Sequence, residues 1–443
     1  MDTYDKIKKS RIKMDSEEMQ EKGRLKATAF TRQSSMNFQN LLRFMLNKRG
    51  LTLEMEIDNF KDVMGDNWDM VTKSAICQQR KNFNPEVFKE LTRDYIINTY
   101  DEGHDYEEYK GYILLAIDGM NIELPNVETL RKEYGEAKGP EGQRTSARAT
   151  TSSIYDVVNN MIIDSQIDKY RTSERELAKR NIEEMIRLLG KRKIIIIFDR
   201  GYPSLDMIHM LEKNQIKYLI RLNKSMYSKE VKSMKTEDEL KKIYMTMKRT
   251  KDIKDKKTQE ELRNIKELDI RFVKYELETG EQEILITNLN KDDFSREEIG
   301  ELYFKRWKIE LAYDIAKNKL DIQNFSGQSK IVIEQEFYAQ MYLLNVAEDL
   351  KRDANKKVEA KQTNGYKYDY QPNMNVLIGK LRKRFIIIVM NLTINKNTEA
   401  DKTFENLMAE IEQNLCPIRP NRKNSRNKYK GYNKYKQNLR RNS

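Results

Sequence analysis

The chain has 443 residues, 35% of them charged, with a formal net charge of +13. That length allows two or three domains around a sizeable core, and the surplus of Lys and Arg points to an acidic partner. Only Cys77 and Cys416, and only His104 and His209, are present, which excludes a disulfide scaffold and a Cys/His zinc site and fits a reducing cytosol.

The first thirty or so residues are charged and expected to fray. From Arg24 to Gly50 there are six basic residues and no acidic one, and Phe38, Leu41, Leu42, Met45 and Leu46 recur at helical spacing. Ser35 is the candidate N-cap and Gly50 the candidate stop. A second helix is expected over Leu53–Met64, ended by Gly65, and a third over Val71–Lys81 with Lys73, Gln78, Gln79 and Arg80 on its polar side. Helix, glycine turn and basic helix suit either a helix-turn-helix reader of DNA or plain helical packing. Asn84-Pro85 then opens a helix to about Tyr100.

Around Gly111 the pattern changes. GYILLAIDG is a short apolar run stopped by Asp118-Gly119, as in a buried strand that delivers a carboxylate at its end. Extended segments are expected near Asn121–Leu124 and within Ser152–Ile167, with GPEGQRTSARATTSS as a polar loop between them. Ser173 caps a helix over Glu174–Leu189. Next, the β-branched run of KIIIIFDRGYPS reads as a strand buried on both faces and leads into Asp199-Arg200-Gly201. A helix over Ser204–Asn214 and a strand over Ile216–Leu222 complete a β–α–β unit.

From Asn223 to Leu289 the chain reads as an insertion. A Lys/Glu-rich stretch of low hydrophobicity comes first, then strands at Leu268–Leu277 and Gln282–Thr287 around a turn at Thr279-Gly280. Ser295 starts a helix that carries Tyr303, Arg306, Glu310 and Lys317. At about 100° per residue these four share a stripe roughly 60° wide and about 21 Å long. Apolar residues (Leu302, Phe304, Ile309, Leu311, Ala312, Ile315, Ala316, Leu320) fill much of the opposite side, so the stripe is expected to line a groove. Alone, such a stripe is a solvated helix face.

Further helices are expected at Tyr338–Leu350, Asn375–Leu392 and Thr403–Leu415. The apolar run FIIIVMNLTI from Phe385 is interrupted by Asn391 and too short to span a bilayer, and no stretch reads as a signal peptide. From Pro417 to Ser443 there are ten Lys/Arg and no acid, which leaves +3 for the rest. This tail suits a disordered solubilising end or, with its interleaved tyrosines, a nucleic-acid backbone.

Three carboxylates stand out: Asp118 and Asp199 at strand ends and Glu310 on the striped helix. Desolvating a charge is costly unless something compensates it. An Asp-Gly turn and an Arg200-paired Asp199 are the structural alternatives. Together, three acids without Cys or His ligands favour Mg²⁺ or Mn²⁺ and suit a two-metal site for phosphodiester chemistry.

At this point the residues resemble the DDE transposases of bacterial insertion sequences, specifically the insertion sequence four family. The resemblance rests on strand-Asp118-Gly119, on strand-Asp199-Arg200-Gly201-Tyr202, and on Thr287-Asn288-Leu289 followed by LYFKRWKIE and Lys317. It covers roughly Gly111 to Lys330 well and, more loosely, the N-terminal helical region from Phe30 to Tyr100, with no departure at the key positions. It implies an α/β fold: an RNase H-like mixed-sheet catalytic core, with the aspartates on neighbouring strands and the glutamate on a later helix, a β-rich insertion, and an all-α N-terminal domain. The implied organisation is a helical DNA-binding domain over 1–105, a core split as 106–222 and 290–350 around the insertion at 223–289, a helical region at 351–416, and a basic, disordered tail at 417–443.

The family likeness further implies that Asp118, Asp199 and Glu310 form the catalytic, metal-binding triad, with two Mg²⁺ ions that Mn²⁺ can replace. Tyr303, Arg306 and Lys317 match residues that contact DNA phosphates. Arg200 and Trp307 are further candidate contacts, with a salt bridge and a core aromatic as their alternatives. The expected activity is cut-and-paste transposition by a cytoplasmic protein, nucleoid-associated when bound to DNA. Its expected partners are double-stranded DNA (transposon ends and target) and, in the synaptic complex, a second copy of the chain. No membrane is expected. The other readings are a different RNase H-like nuclease or recombinase, and a non-catalytic DNA-binding protein derived from a transposase.

Overall fold

The β-branched run Ile194–Phe198 forms a fully buried strand between two parallel neighbours, and the sheet is built around it. In the computed structural model residues 1–66, 68–101, 106–138, 145–223, 225–276, 280–361 and 368–419 are described. The chain divides into two compact units. One comprises Met1–Asp105, Asn121–Ala149 and Asp314–Ser443; the other comprises Tyr106–Met120 and Thr150–Tyr313.

In chain order the sheet strands are β1 (Ile113–Glu123), β2 (Glu136–Ala137), β3 (Ser146–Asp156), β4 (Met161–Lys169), β5 (Ile194–Phe198), β6 (Lys217–Arg221), β7 (Asp238–Tyr244), β8 (Glu267–Glu276) and β9 (Gln282–Thr287). Their order is β2-β3-β1-β5-β6-β9-β8-β7, with β4 on β3. β1, β5 and β6 are parallel, whereas β6 with β9, β9 with β8 and β8 with β7 are antiparallel. The fold is therefore the expected mixed α/β one, with a large mixed sheet and a helical N-terminal region. β1 and β5 are the neighbouring strands that lead to the two aspartates.

Three expectations about the sheet need correction. β1 does not stop at Asp118 but runs on to Glu123. What ends there is its pairing with β5, whose last paired residues are Ile117 and Phe198. The polar stretch after Gly139 is not all loop, because β3 begins at Ser146 and Thr150, Thr151, Ser152 and Ser153 are buried in it; residues 139–144 lie outside those described. The stretch after Asn223 holds a strand, β7, and a helix over Lys256–Ile265 beside the two expected strands. Its β9 pairs directly with β6, so the insertion extends the sheet. Gly280 has φ 78°, a left-handed conformation that favours glycine, while Thr279 lies outside the described residues.

The first unit is helical, and its N-terminus is not frayed. Helices span Thr3–Met14 and Glu17–Lys22, with Ile7, Met14 and Met19 buried. The charge of buried Lys6 is met by Asp349 at 2.6 Å. The helices Phe38–Asn47, Leu53–Met64, Lys73–Arg80 and Glu86–Tyr100 follow near the expected bounds. The first of these is capped by Asn37, which accepts from Asn40 N, and not by Ser35. The basic stretch is partly consumed internally: Arg43 pairs with Asp15, and Lys48 and Arg80 with Glu336. Residues 420–443 of the basic tail lie outside those described. No helix among the described residues is long and apolar enough to cross a membrane.

Candidate active site

Parallel pairing fixes the site. The registers Ile117–Phe198 and Phe198–Ile220 make Asp118, Asp199 and Arg221 the next residues at the ends of two adjacent parallel ladders that join three strands. In open α/β sheets ligands bind at this carboxyl edge of the strands. Asp118 Oδ1 accepts from Gly119 N at 2.8 Å, and its main-chain oxygen accepts from Tyr313 Oη at 2.6 Å. Asp199 Oδ1 accepts from Tyr303 Oη at 3.0 Å and lies 3.7 Å from Arg221 Nη1. Arg221 also pairs with Glu283 of β9. Arg200 is exposed, so the cation that serves Asp199 is Arg221.

The striped helix is two helices. Arg296–Lys305 is opened by a capping box of Ser295 and Glu298, and Trp307–Asn318 follows, with Arg306 at the junction. Around Arg306 the backbone bonds skip only three residues, Arg306 N to Tyr303 O and Ile309 N to Arg306 O, both 3.1 Å, a tightened turn. A continuous 100° rotation therefore does not hold across the motif. Tyr303 and Arg306 are buried, whereas Phe304, Trp307 and Leu311 are exposed. The stripe is the packed side near Arg306, not an open face.

Arg306 is the cation at the centre. Its Nη2 lies 2.9 Å from Glu310 Oε1 and its Nη1 3.5 Å from Asp118 Oδ2. Its guanidinium also faces the rings of Tyr303 and Trp307. Burial opposes its charge, but Tyr303, Glu310, Asp118 and Asp199 outweigh burial and raise its pKa. Asp118 is less well served. Burial pushes its carboxyl up to about 6; Gly119 N–H and Arg306 oppose that rise, and Glu310 and Glu174 add to it. Burial and then Asp199 raise the Tyr303 phenol.

Six of the eight residues singled out from the sequence thus gather or stand adjacent in this unit: Asp118, Asp199, Glu310, Tyr303, Arg306 and Trp307. Arg200 neighbours Asp199 in sequence but points to solvent. Lys317 ends the Trp307–Asn318 helix and belongs to the other unit, where it donates to Asn121 O at 3.2 Å and burial lowers its pKa. The sequence reading missed Arg221, Glu283, Glu174 and Tyr313. Of these only Arg221, a cation closing an apolar strand, carried a local signal.

Divalent cations fit this donor set in chemistry. The donors are carboxylate oxygens, as Mg²⁺ and Mn²⁺ prefer, and Asp118 is a desolvated carboxylate that one guanidinium leaves undercompensated. Among the described residues no group of three or more His, Cys, Asp or Glu is already arranged around a metal position. The positive charge between Asp118 and Glu310 is that of Arg306.

The model of the transposase DDE domain matches residues 109–346, more than half of the chain. The chain belongs to that family. The transposase InsG for insertion sequence element IS4 of Escherichia coli (strain K12) is 22% identical over 296 residues, 66% of this chain and 64% of that relative. The matched region thus spans somewhat under two thirds of the relative's length, and the recognition made from the motifs is borne out. A solved piggyBac transposase synaptic complex with hairpin DNA superposes on 94% of this chain and 84% of its own, at 12% identity and a TM-score of 0.41.

Proposed function

We propose that this protein is a DNA transposase that binds the terminal inverted repeats of an insertion sequence and catalyses metal-dependent strand cleavage and strand transfer. The observation that carries this reading is the convergence of Asp118, Asp199 and Glu310 on the field of Arg306 at the carboxyl edge of the sheet. Asp118, Asp199 and Glu310 would hold the divalent cations. Bound there, Mg²⁺ supplies activation of the attacking oxygen and stabilisation of the leaving one in an in-line phosphoryl transfer. Tyr303 holds the Asp199 carboxylate in place through its hydroxyl. Tyr313 pins the main chain at Asp118, so that carboxylate sits on a rigid strand.

Arg306 is the acids' internal counter-ion and, in this reading, exchanges them for a DNA phosphate when the transposon end is bound. Lys317 and exposed Arg200 add phosphate contacts, and Trp307 offers an exposed ring beside the acids. The same site joins the freed 3′-hydroxyl to target DNA, in an assembly of two chains. The protein acts in the cytoplasm, on the nucleoid.

Asp118→Asn, Asp199→Asn and Glu310→Gln are each expected to abolish cleavage of a transposon-end duplex in Mg²⁺ while retaining its binding. Normal cleavage by any of them would remove that residue from the catalytic set. One observation favours a second reading, a non-catalytic DNA-binding descendant: Arg306 lies where the acids would meet a metal. Wild-type protein that binds end DNA but cuts no duplex with Mg²⁺ or Mn²⁺ would decide for it, and cleavage without end joining would instead indicate a nuclease.

A further inference from the structure

A fourth carboxylate stands over the two aspartate strands. Glu174, the first residue of the Glu174–Leu189 helix, is exposed and has no described ion pair or hydrogen bond of its side chain. Its carboxyl group lies where a side chain on Gly119 would begin, with Cδ 3.1 Å and Oε1 3.2 Å from the position a Cβ would take. Its other oxygen, Oε2, is 3.8 Å from the same position on Gly201. Gly119 directly follows Asp118, and Gly201 follows Asp199 and Arg200. Both glycines have ordinary backbone angles, so the room they leave, rather than a left-handed turn, is what admits the Glu174 carboxyl.

A second observation points to a ligand at the same place. Tyr202 is 1% exposed, and its hydroxyl has no hydrogen-bond partner among the described residues. After burial, the groups that most raise its pKa are Asp118 and then Glu174, followed by Tyr313 and Asp199. A buried hydroxyl left without a partner is costly and is rare unless water, an ion or substrate completes it. Here it sits in the field of three carboxylates. A hydrated divalent cation would satisfy both sides, with carboxylate oxygens as ligands and its water as partner to the phenol.

We propose that Glu174 is a further oxygen donor of the divalent-cation site, held over Gly119 and Gly201 beside Asp118, and that Tyr202 orients water bound to that cation. This rests on the metal-dependent reading above. Glu174 comes from a helix that carries none of the three motif acids, so it brings the site a donor from a separate element. It also offers Asp118 a shared cation in place of electrostatic repulsion.

The test is Mn²⁺ binding to the full chain, followed by the electron paramagnetic resonance signal of free Mn²⁺ and by calorimetry, with no DNA cleavage in the readout. Glu174→Gln is expected to weaken Mn²⁺ binding roughly 10–100-fold, the range for losing a group that supports a metal site. Tyr202→Phe is expected to weaken it several-fold, and Glu176→Gln, on the same helix turn but paired with Arg180, not at all. Circular dichroism and thermal melting of the metal-free variants establish that they are folded. If Asp118→Asn weakens Mn²⁺ binding and Glu174→Gln matches wild type, the role of Glu174 is overturned and the metal-dependent reading stands. If wild type itself binds no Mn²⁺, both fall.

Discussion

Two buried carboxylates in this protein have opposite fates. Glu336, in the helical unit, is buried, yet its pKa is lowered to about 2. Burial alone would raise it, but Lys48 and Arg80 outweigh burial, helped by hydrogen bonds from Lys48 and Ser326. Arg80 reaches it at 2.9 Å and Ser326 N at 2.7 Å, and Arg80 is itself held by Gln335 at 3.0 Å. Asp118, in the unit of the mixed sheet, is also largely buried, but its one cation stands 3.5 Å away and is shared with Glu310 at 2.9 Å. Its pKa is raised to about 6. A carboxylate that serves the fold is surrounded by donors, whereas Asp118 is left short of charge, as the proposed role of holding a cation requires.

The largest effect should come from breaking the satisfied cluster. Glu336→Ala strands Lys48 and Arg80 in the interior and is expected to destabilise the protein by about 3–5 kcal/mol. Urea denaturation followed in the helical unit measures this; a loss below about 1 kcal/mol would make the cluster ornamental. The two sites should also separate with pH. Glu336 has a lowered pKa, so its contribution is present above the ordinary value of 4.5 and is lost as pH falls toward about 2. Asp118 has a raised one, so metal-free stability falls as pH rises from 3.8 through about 6. Each window is worth about 3 kcal/mol at most. Melting temperatures across pH 3–7 of wild type, Glu336→Gln and Asp118→Asn would show each dependence vanish with its own residue.

A smaller effect of opposite sign follows for Asp118. Without metal, Asp118→Asn removes a charge that the fold pays to bury and should stabilise the protein by about 1–3 kcal/mol, while cleavage is lost. Added Mg²⁺ should stabilise wild type and not the variant. If Asp118→Asn is destabilising in both conditions, Asp118 belongs with Glu336 among the structural acids.

The contrast also marks what could be read from residues alone. The run Ile194–Phe198 into Asp199 and the stop at Gly65 are local, so their elements and bounds were legible. The sharing of the carboxyl edge by Asp118 and Asp199 followed from two apolar strands and the resemblance. What escaped depended on distant partners. Lys6 is 343 residues from Asp349 and turns a charged N-terminus into a packed helix. Arg221 meets Glu283 only because the insertion's β9 joins β6. Glu174 meets Gly119, 55 residues away in sequence, only in the folded chain. The stripe from Tyr303 to Lys317 failed differently: its wheel assumed a continuous helix, and the chain tightens at Arg306.

The smallest effect on stability distinguishes a cation used by the fold from one left for DNA. Arg80 is 3% exposed and committed to Glu336 and Gln335, whereas Arg200, beside Asp199, is exposed. Arg200→Ala should change unfolding free energy by less than about 0.5 kcal/mol, as for surface positions generally. If it grips a phosphate of the transposon end, its loss should lower affinity and reduce the slope of log affinity against log salt by about one. A salt titration of end-duplex binding with wild type and variant measures that slope. An unchanged slope would leave Arg200 a solvated side chain and confine the phosphate grip to Arg306 and Lys317.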